Sequence, residues 1–345
     1  MKVAIIGAGI AGLACAIELE RHGIKPQIFE RNHRIGSPFS YSPFIFDFIF
    51  RPVKKPLAVL TKQCGINLKP ISDISLMKVC GPRTEFTIQG NLGYSLLRGQ
   101  EIHSIECQMA NQLKSPIQFN YPVKPKDLVK KFNYVVVATG EEQYAKDLNI
   151  WQGTYSSWIR GASILGRFNP QEIKLWFNTD YTKNGYAYLV PMGTEKATLL
   201  LNVSNTTHDE LPNFWQSFLQ QERLDPKIVL LWDVPYNISL VYPHRVGNTF
   251  FIGNSGGFVT SWLGQGVFSS IVSGVEAARS IALNKDFHKQ INELNKIMER
   301  QARFRQLWDK FDNKNLDLAL RLINNPMIKF TLYQTNLNFF KVLDR

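Results

Sequence analysis

Four cysteines in 345 residues, none in a C-x-x-C pair, leave neither a disulfide framework nor a thiolate cluster for a metal. The histidines, His22, His33, His103, His208, His244 and His288, do not pair at ligand spacing, so no metal is expected. No apolar run approaches the ~20 residues that cross a bilayer, and no repeat or low-complexity tract is visible. No Ser-His-Asp order or paired-carboxylate motif stands out, so no catalytic residue can be named. Lys and Arg outnumber Asp and Glu 40 to 28, a net charge of +12, but the basic residues are scattered. Without a basic run or an aromatic-interleaved patch, nucleic acid is not an expected partner. A basic surface of this kind suits an anionic cofactor or an anionic lipid; a plain solvated surface explains it equally well. With a glycine-rich strand at the start, no leader is expected. The four thiols, with Cys15 in a core helix, are therefore expected to be reduced in a cytoplasmic protein.

What is present begins at once. Residues 2–31, KVAIIGAGIAGLACAIELERHGIKPQIFER, read as strand, glycine turn, helix and strand. Residues 3–6 form a short apolar run, as in a strand buried on both faces. Gly7, Gly9 and Gly12 follow at G-x-G-x-x-G spacing: one for the tight turn, one for close approach to a diphosphate, one for helix-on-strand packing. Apolar residues recur at helical spacing over 10–21, and Gly23 stops the helix. A second strand over 27–29 ends at Glu30, whose carboxylate can accept both hydroxyls of an adenosine ribose. Gly7, Gly9, Ile10, Ala11, Gly12, Glu30 and Arg31 are the candidate cofactor residues of this unit.

Residues 44–50, FIFDFIF, place an aromatic at every second position, which is strand periodicity. Both faces are largely apolar, with Asp47 on one, as in a sheet packed on two sides or in the greasy wall of a substrate pocket. Residues 56–95 alternate strand-like pieces with turns at Gly81-Pro82 and Gly90-Asn91, and predict a second, antiparallel domain. Arg98 then opens a helix expected from about residue 100. Two buried strands follow, over 116–119 and 134–138, the second ending in Ala138-Thr139-Gly140 at the carboxyl edge of a sheet. Residues 158–203 are strand-rich, and a helix is expected over 209–223 with strands again over 228–241. His244 could approach a pocket, although a structural histidine is the commoner case.

The second informative stretch is NTFFIGNSGGFVTSWLGQGVFSSIVSGVEAARSIAL. A strand over 249–252 leads into Gly253-Asn254, a glycine-rich loop, Gly264-Gln265-Gly266, and a helix from Val267 to about residue 283. A helix entered through glycines presents free N–H groups and a positive dipole end, which suits a ring that gathers negative charge when reduced. With these three motifs in this order, the chain resembles the flavoprotein family of geranylgeranyl reductases and para-hydroxybenzoate hydroxylase-like monooxygenases. The resemblance implies an α/β fold: a Rossmann-like FAD-binding domain of glutathione reductase type, with a mixed or parallel sheet. An antiparallel β-sheet substrate domain is interleaved with it, and a helical C-terminal region follows. It assigns 1–40, 95–150 and 245–284 to FAD, 41–94 and 151–244 to substrate, and 285–345 to the C-terminal helices.

The resemblance also implies roles. Gly7, Gly9, Gly12 and Glu30 hold the ADP half of non-covalent FAD, Arg98 lies near the diphosphate, and Gly253 to Val267 hold the ribityl chain and ring. GYAYLVP, residues 185–191, looks like the reductase element facing the flavin cavity, making Tyr186, Tyr188 and Pro191 substrate-pocket candidates beside Phe46, Phe48 and Trp262. The family usually has Gly-Asp where Asn254 stands, so weaker ribityl binding is expected. The loop proline is replaced near Trp262, which would narrow the pocket. No W-x-W-x-I-P motif is present, so halogenation is not expected, and without a second G-x-G-x-x-G unit NAD(P)H could visit only transiently. The implied activity moves hydride between flavin N5 and an apolar, prenyl- or lipid-like substrate. The alternatives are hydroxylation of an aromatic ring, or flavin binding without turnover. Residues 285–345 carry 12 Lys and Arg against 7 Asp and Glu. Ile291, Leu294, Met298, Leu307 and Phe311 fit one helix face, expected either to pack on the substrate domain or to meet a membrane surface. A second apolar segment, 316–340, is broken by Pro326.

Overall fold

The computed structural model describes residues 1–330 together with Tyr333 and Thr335. Val3–Ile6 is apolar at every position because both its edges and both its faces are covered. It pairs in parallel with Gln27–Phe29 on one side and Tyr134–Val137 on the other. Ile117–Gln118 and Thr249–Phe251 extend the sheet in parallel, and Arg245–Val246 closes it as an antiparallel edge. Helix Ile10–Arg21 lies on this sheet because glycine lets it. A Cβ built on Gly12 would stand 2.0 Å from the carbonyl oxygen of Gly7, and Gly7 itself turns at φ +103°. The same helix packs against helix Val267–Leu283, where Gly274 faces the Ala11 carbonyl.

The second sheet has eight strands among the described residues. Its order is Lys227–Val241, Trp151–Leu165, Lys196–Ser204, Tyr186–Pro191, Glu172–Trp176, Ser72–Cys80, Glu85–Ser95, Phe44–Phe46. All neighbours are antiparallel except Ser72–Cys80 beside Glu172–Trp176. Side chains alternate across a strand, and the registers put Tyr186, Tyr188, Leu200, Asn202, Ile159, Val234 and Tyr236 on one face. That face looks onto the carboxyl edge of the first sheet. The opposite face packs on helix Leu211–Gln221 through Trp176, Leu199, Leu201, Trp215 and Phe218.

The strand begun at Phe44 ends at Phe46, and residues 47–52 turn. Phe48 and Phe50 are apolar because they pack in three dimensions, Phe50 on Phe268 with ring centres 4.9 Å apart, and not because they alternate along a strand. The helix expected from about residue 100 is Ile105–Ala110, started where the Ser104 hydroxyl accepts from Cys107 N at 3.3 Å. Residues 56–95 open with a helix, Pro56–Cys64, before the two long strands. Helices Asn292–Trp308 and Asn313–Asn324 lie against the second sheet. Ile291, Leu294 and Met298 are buried there, Phe311 is half-buried, and Leu307 turns outward. The apolar segment expected over 316–340 lies outside the described residues beyond Phe330, except for Tyr333 and Thr335. Among the described residues no helix is long and apolar enough to cross a membrane, and no group of side chains has metal-ligand geometry. The four cysteines are free, and Cys15 is fully buried.

Candidate functional site

A cavity of about 890 Å³ runs between the two sheets, toward the upper end of the ~300–1,000 Å³ range of cofactor and small-molecule pockets. Three turns from distant parts of the chain meet in it: 7–11, 138–140 and 253–267. Gly7, Gly9, Ile10, Ala11, Glu30, Arg31, Arg98, Ala138, Thr139, Gly140, Gly253, Asn254, Gly264, Gln265, Gly266 and Val267 all line it. Gly12 does not; it serves the helix–strand contact behind the turn. A Cβ on Gly9 would meet nothing within 4 Å, so the backbone at this position is open to the cavity.

Hydrogen bonds lock the turns together. Glu30 Oε2 accepts from Ala8 N at 2.8 Å and Oε1 from Asn32 N at 2.9 Å, so the carboxylate is fixed at the tip of its strand. The Ser255 hydroxyl accepts from Gly140 N at 2.9 Å and lies 3.1 Å from the Thr139 hydroxyl. Asn254 Nδ2 donates to the Gly140 carbonyl at 2.9 Å. Its Oδ1 is buried and has no protein partner among the described residues. The asparagine is thereby explained, since a carboxylate would meet the Gly140 carbonyl as acceptor against acceptor. Arg31 pairs with Glu141 across the cavity's outer end.

Arg98 Nε donates to Glu106 Oε1 at 2.8 Å. Burial works against its charge, but the paired Glu106 carboxylate holds the guanidinium protonated. At the far end, Tyr186 Oη donates to Leu263 O at 3.0 Å and Tyr236 Oη to Gly264 O at 2.9 Å. These bonds fix the turn before helix Val267–Leu283, whose N-cap, Gly266, offers no side-chain cap. Gly264 is required there, because φ is +63° and a Cβ would stand 2.8 Å from Tyr186 Oη. Burial pushes the Tyr186, Tyr188 and Tyr236 hydroxyls well above the usual phenol range, so all three stay protonated.

Of the substrate-pocket candidates, Tyr186 and Tyr188 line the cavity. Phe46, Phe48, Pro191 and Trp262 do not. Phe46 is fully buried between Phe44 and Phe48, Phe48 packs on Tyr333, and Pro191 ends its strand in the sheet interior. Trp262 faces away, against Phe177, Phe304 and Trp308. His244 is also outside; it stacks on Phe258 at 4.9 Å. Phe44, from the alternating 44–50 stretch, does line the cavity, and residues that sequence reasoning missed complete the wall: Tyr41, Trp232, Val234 and Tyr236. The alternation of Trp232, Val234 and Tyr236 was the available signal for three of them.

Comparison with known proteins agrees with this geometry. Residues 5–48 match the model of the NAD(P)-binding Rossmann-like domain. Over 77 residues, 20% of the chain, it is 38% identical to a possible lysine-specific histone demethylase 1 of Drosophila melanogaster. The chain spans less than a tenth of the length of the curated relatives it matches. Solved structures cover far more. A geranylgeranyl bacteriochlorophyll reductase-like protein from Thermoplasma acidophilum superimposes at TM-score 0.76, with 15% identity over 99% of this chain and 98% of that one. The flavin-dependent brominase Bmp2 gives 0.65, with 13% identity over 97% and 93%. The p-nitrophenol 4-monooxygenase of Pseudomonas putida gives 0.62, with 12% identity over 99% and 95%. In fold, the chain therefore resembles the geranylgeranyl bacteriochlorophyll reductase-like, brominase and monooxygenase structures.

Proposed function

We propose that the chain binds FAD non-covalently in this cavity and acts as an oxidoreductase on a small apolar substrate. The observation that carries the reading is the convergence of three glycine-bearing turns on one cavity between the two sheets. The residues present fit the cofactor. Gly9 leaves backbone open for a diphosphate, and each Glu30 oxygen keeps a lone pair for a ribose hydroxyl. Asn254 Oδ1, a buried acceptor without a donor, suits a ribityl hydroxyl. The uncapped start of the 17-residue helix Val267–Leu283 favours negative charge beside it. FAD, when bound, would supply two-electron redox chemistry.

The chain's own part is binding, orientation and exclusion of water. Tyr186 and Tyr236 spend their hydroxyls holding the Leu263–Gly264 turn, while Tyr188 Oη makes no protein hydrogen bond among the described residues. It remains a neutral donor at the cavity's aromatic end. The wall there, Phe44, Leu200, Trp232 and Val234, selects an apolar ligand, and a prenyl-like chain is the reading we adopt. The superposition on a p-nitrophenol monooxygenase supports a second reading, hydroxylation of an aromatic ring. Oxygen uptake separates them. Photoreduced holoprotein that reduces an isoprenoid equally well with and without oxygen supports the first. NAD(P)H oxidation with oxygen uptake only in the presence of a phenol supports the second. Photoreduced protein that transfers no electrons to either class overturns both.

A further inference from the structure

Behind the cavity wall lies a second group of polar side chains that the reading above does not use. Asn202 sits two residues beyond the cavity-lining Leu200, roughly 7 Å along the same strand and on the same face. Its Oδ1 accepts the Tyr155 hydroxyl at 2.8 Å, while its Nδ2 is buried without a partner. The Arg305 guanidinium lies over the Tyr155 ring, 4.1 Å from its centre. Arg305 is 0% exposed. One nitrogen, Nη2, donates to the Asn184 carbonyl at 2.8 Å and pairs with Asp309. The N–H groups at Nε and Nη1 have no acceptor. One helical turn earlier, on the same face, Gln301 is also 0% exposed, and neither atom of its amide has a partner.

Three fully buried side chains thus leave four nitrogen donors and one oxygen acceptor open among the described residues. Buried polar atoms are nearly always satisfied, and a buried guanidinium most of all. The imbalance favours a ligand that accepts several hydrogen bonds and carries negative charge. A charge-assisted bond to a carboxylate is the strongest such contact. The neighbouring side chains are aromatic: Trp308 is buried on the same helix, with Trp262 at 5.6 Å between ring centres. We propose that Arg305, Asn202 and Gln301 form a binding site for the carboxylate of an apolar acid, so that the substrate carries an acid group at one end. The site depends on the oxidoreductase reading only for calling that acid a substrate.

The test is isothermal titration of the purified full chain, in chloride-free buffer, with benzoate and octanoate and with their neutral counterparts, benzyl alcohol and octanol. At least one acid should bind tenfold or more tightly than its alcohol. Arg305→Met should abolish that preference. It keeps the volume but unpairs Asp309 and the Asn184 carbonyl, so it should melt lower than the parent, and circular dichroism checks that it is folded before titration; Gln301→Met, also similar in volume, should weaken acid binding by a smaller factor. Equal binding of acid and alcohol, or acid binding unchanged in a folded Arg305→Met protein, would overturn the proposal. Flavin uptake, followed by absorbance on the same samples, keeps the two readings apart. Acid binding by a protein that takes up no FAD would sink the redox function and leave this site standing. A flavin-loaded protein indifferent to both acids would do the reverse.

Discussion

Replacing Asn254 with the aspartate usual in similar flavoproteins should weaken cofactor binding here. The reason is the 2.9 Å bond from Asn254 Nδ2 to the Gly140 carbonyl, which ties the third glycine turn to the second. Asn254→Asp deletes a hydrogen bond worth about 1 kcal/mol and sets two acceptors face to face at the exposed Gly140 carbonyl. A loss of about 1–2 kcal/mol corresponds to roughly one order of magnitude in FAD affinity, since the turn must be in place for binding. Asn254→Ala removes the bond without adding a charge and should fall between the two. Titration of apoprotein with FAD, followed by quenching of flavin fluorescence, gives the ranking. Urea unfolding of the apoproteins gives the same ranking without cofactor. An aspartate variant that binds FAD as tightly as the parent, or more tightly, would refute the argument.

Other substitutions separate shape from binding. Gly9→Val adds a side chain where nothing lies within 4 Å, so thermal stability should hold while flavin uptake is lost. Gly12→Ala puts a Cβ 2.0 Å from the Gly7 oxygen and should lower the melting temperature sharply. Ser255→Ala removes the acceptor for Gly140 N and should cost about 1–2 kcal/mol in urea unfolding. His244 is held neutral, its pKa lowered from 6.5 to about 4, first by burial and then by His288. Because the folded value is depressed, the unfolded chain binds the extra proton between those two pH values. Stability should therefore fall as the pH drops from 6.5 toward 4, by roughly 3 kcal/mol over the full window. His244→Leu should show a correspondingly flatter dependence in denaturation curves taken at pH 7.5 and 5.

Elements whose pattern and partners are local could be read from the chain. Helix Ile10–Arg21, strand Gln27–Phe29 and helix Val267–Leu283 fall where periodicity and glycines put them. Strand Tyr186–Pro191 brings two tyrosines to the cavity because alternation fixes which face they share. The misreadings are tertiary. Residues 44–50 alternate perfectly, yet the chain turns after Phe46, and Ile49 and Phe50 are buried by contacts that no spacing encodes. Trp262 follows a loop that resembles a flavin-facing one, but helix Asn292–Trp308 draws it away, and where a distant helix docks is not written in a local window. Ser104 did carry a readable signal, since a serine before Ile-Glu-Cys marks the true helix start. Asn254 looked like a weakened aspartate in sequence; its carbonyl partner, 114 positions away, is visible only in the fold.

One measurement bears on the whole account: the visible absorbance of pure, folded protein before and after incubation with FAD and gel filtration. The expected result is a flavin spectrum at close to one equivalent per chain, lost in Gly9→Val. A well-folded protein that stays colourless, and leaves the added FAD in the small-molecule fraction, would contradict it.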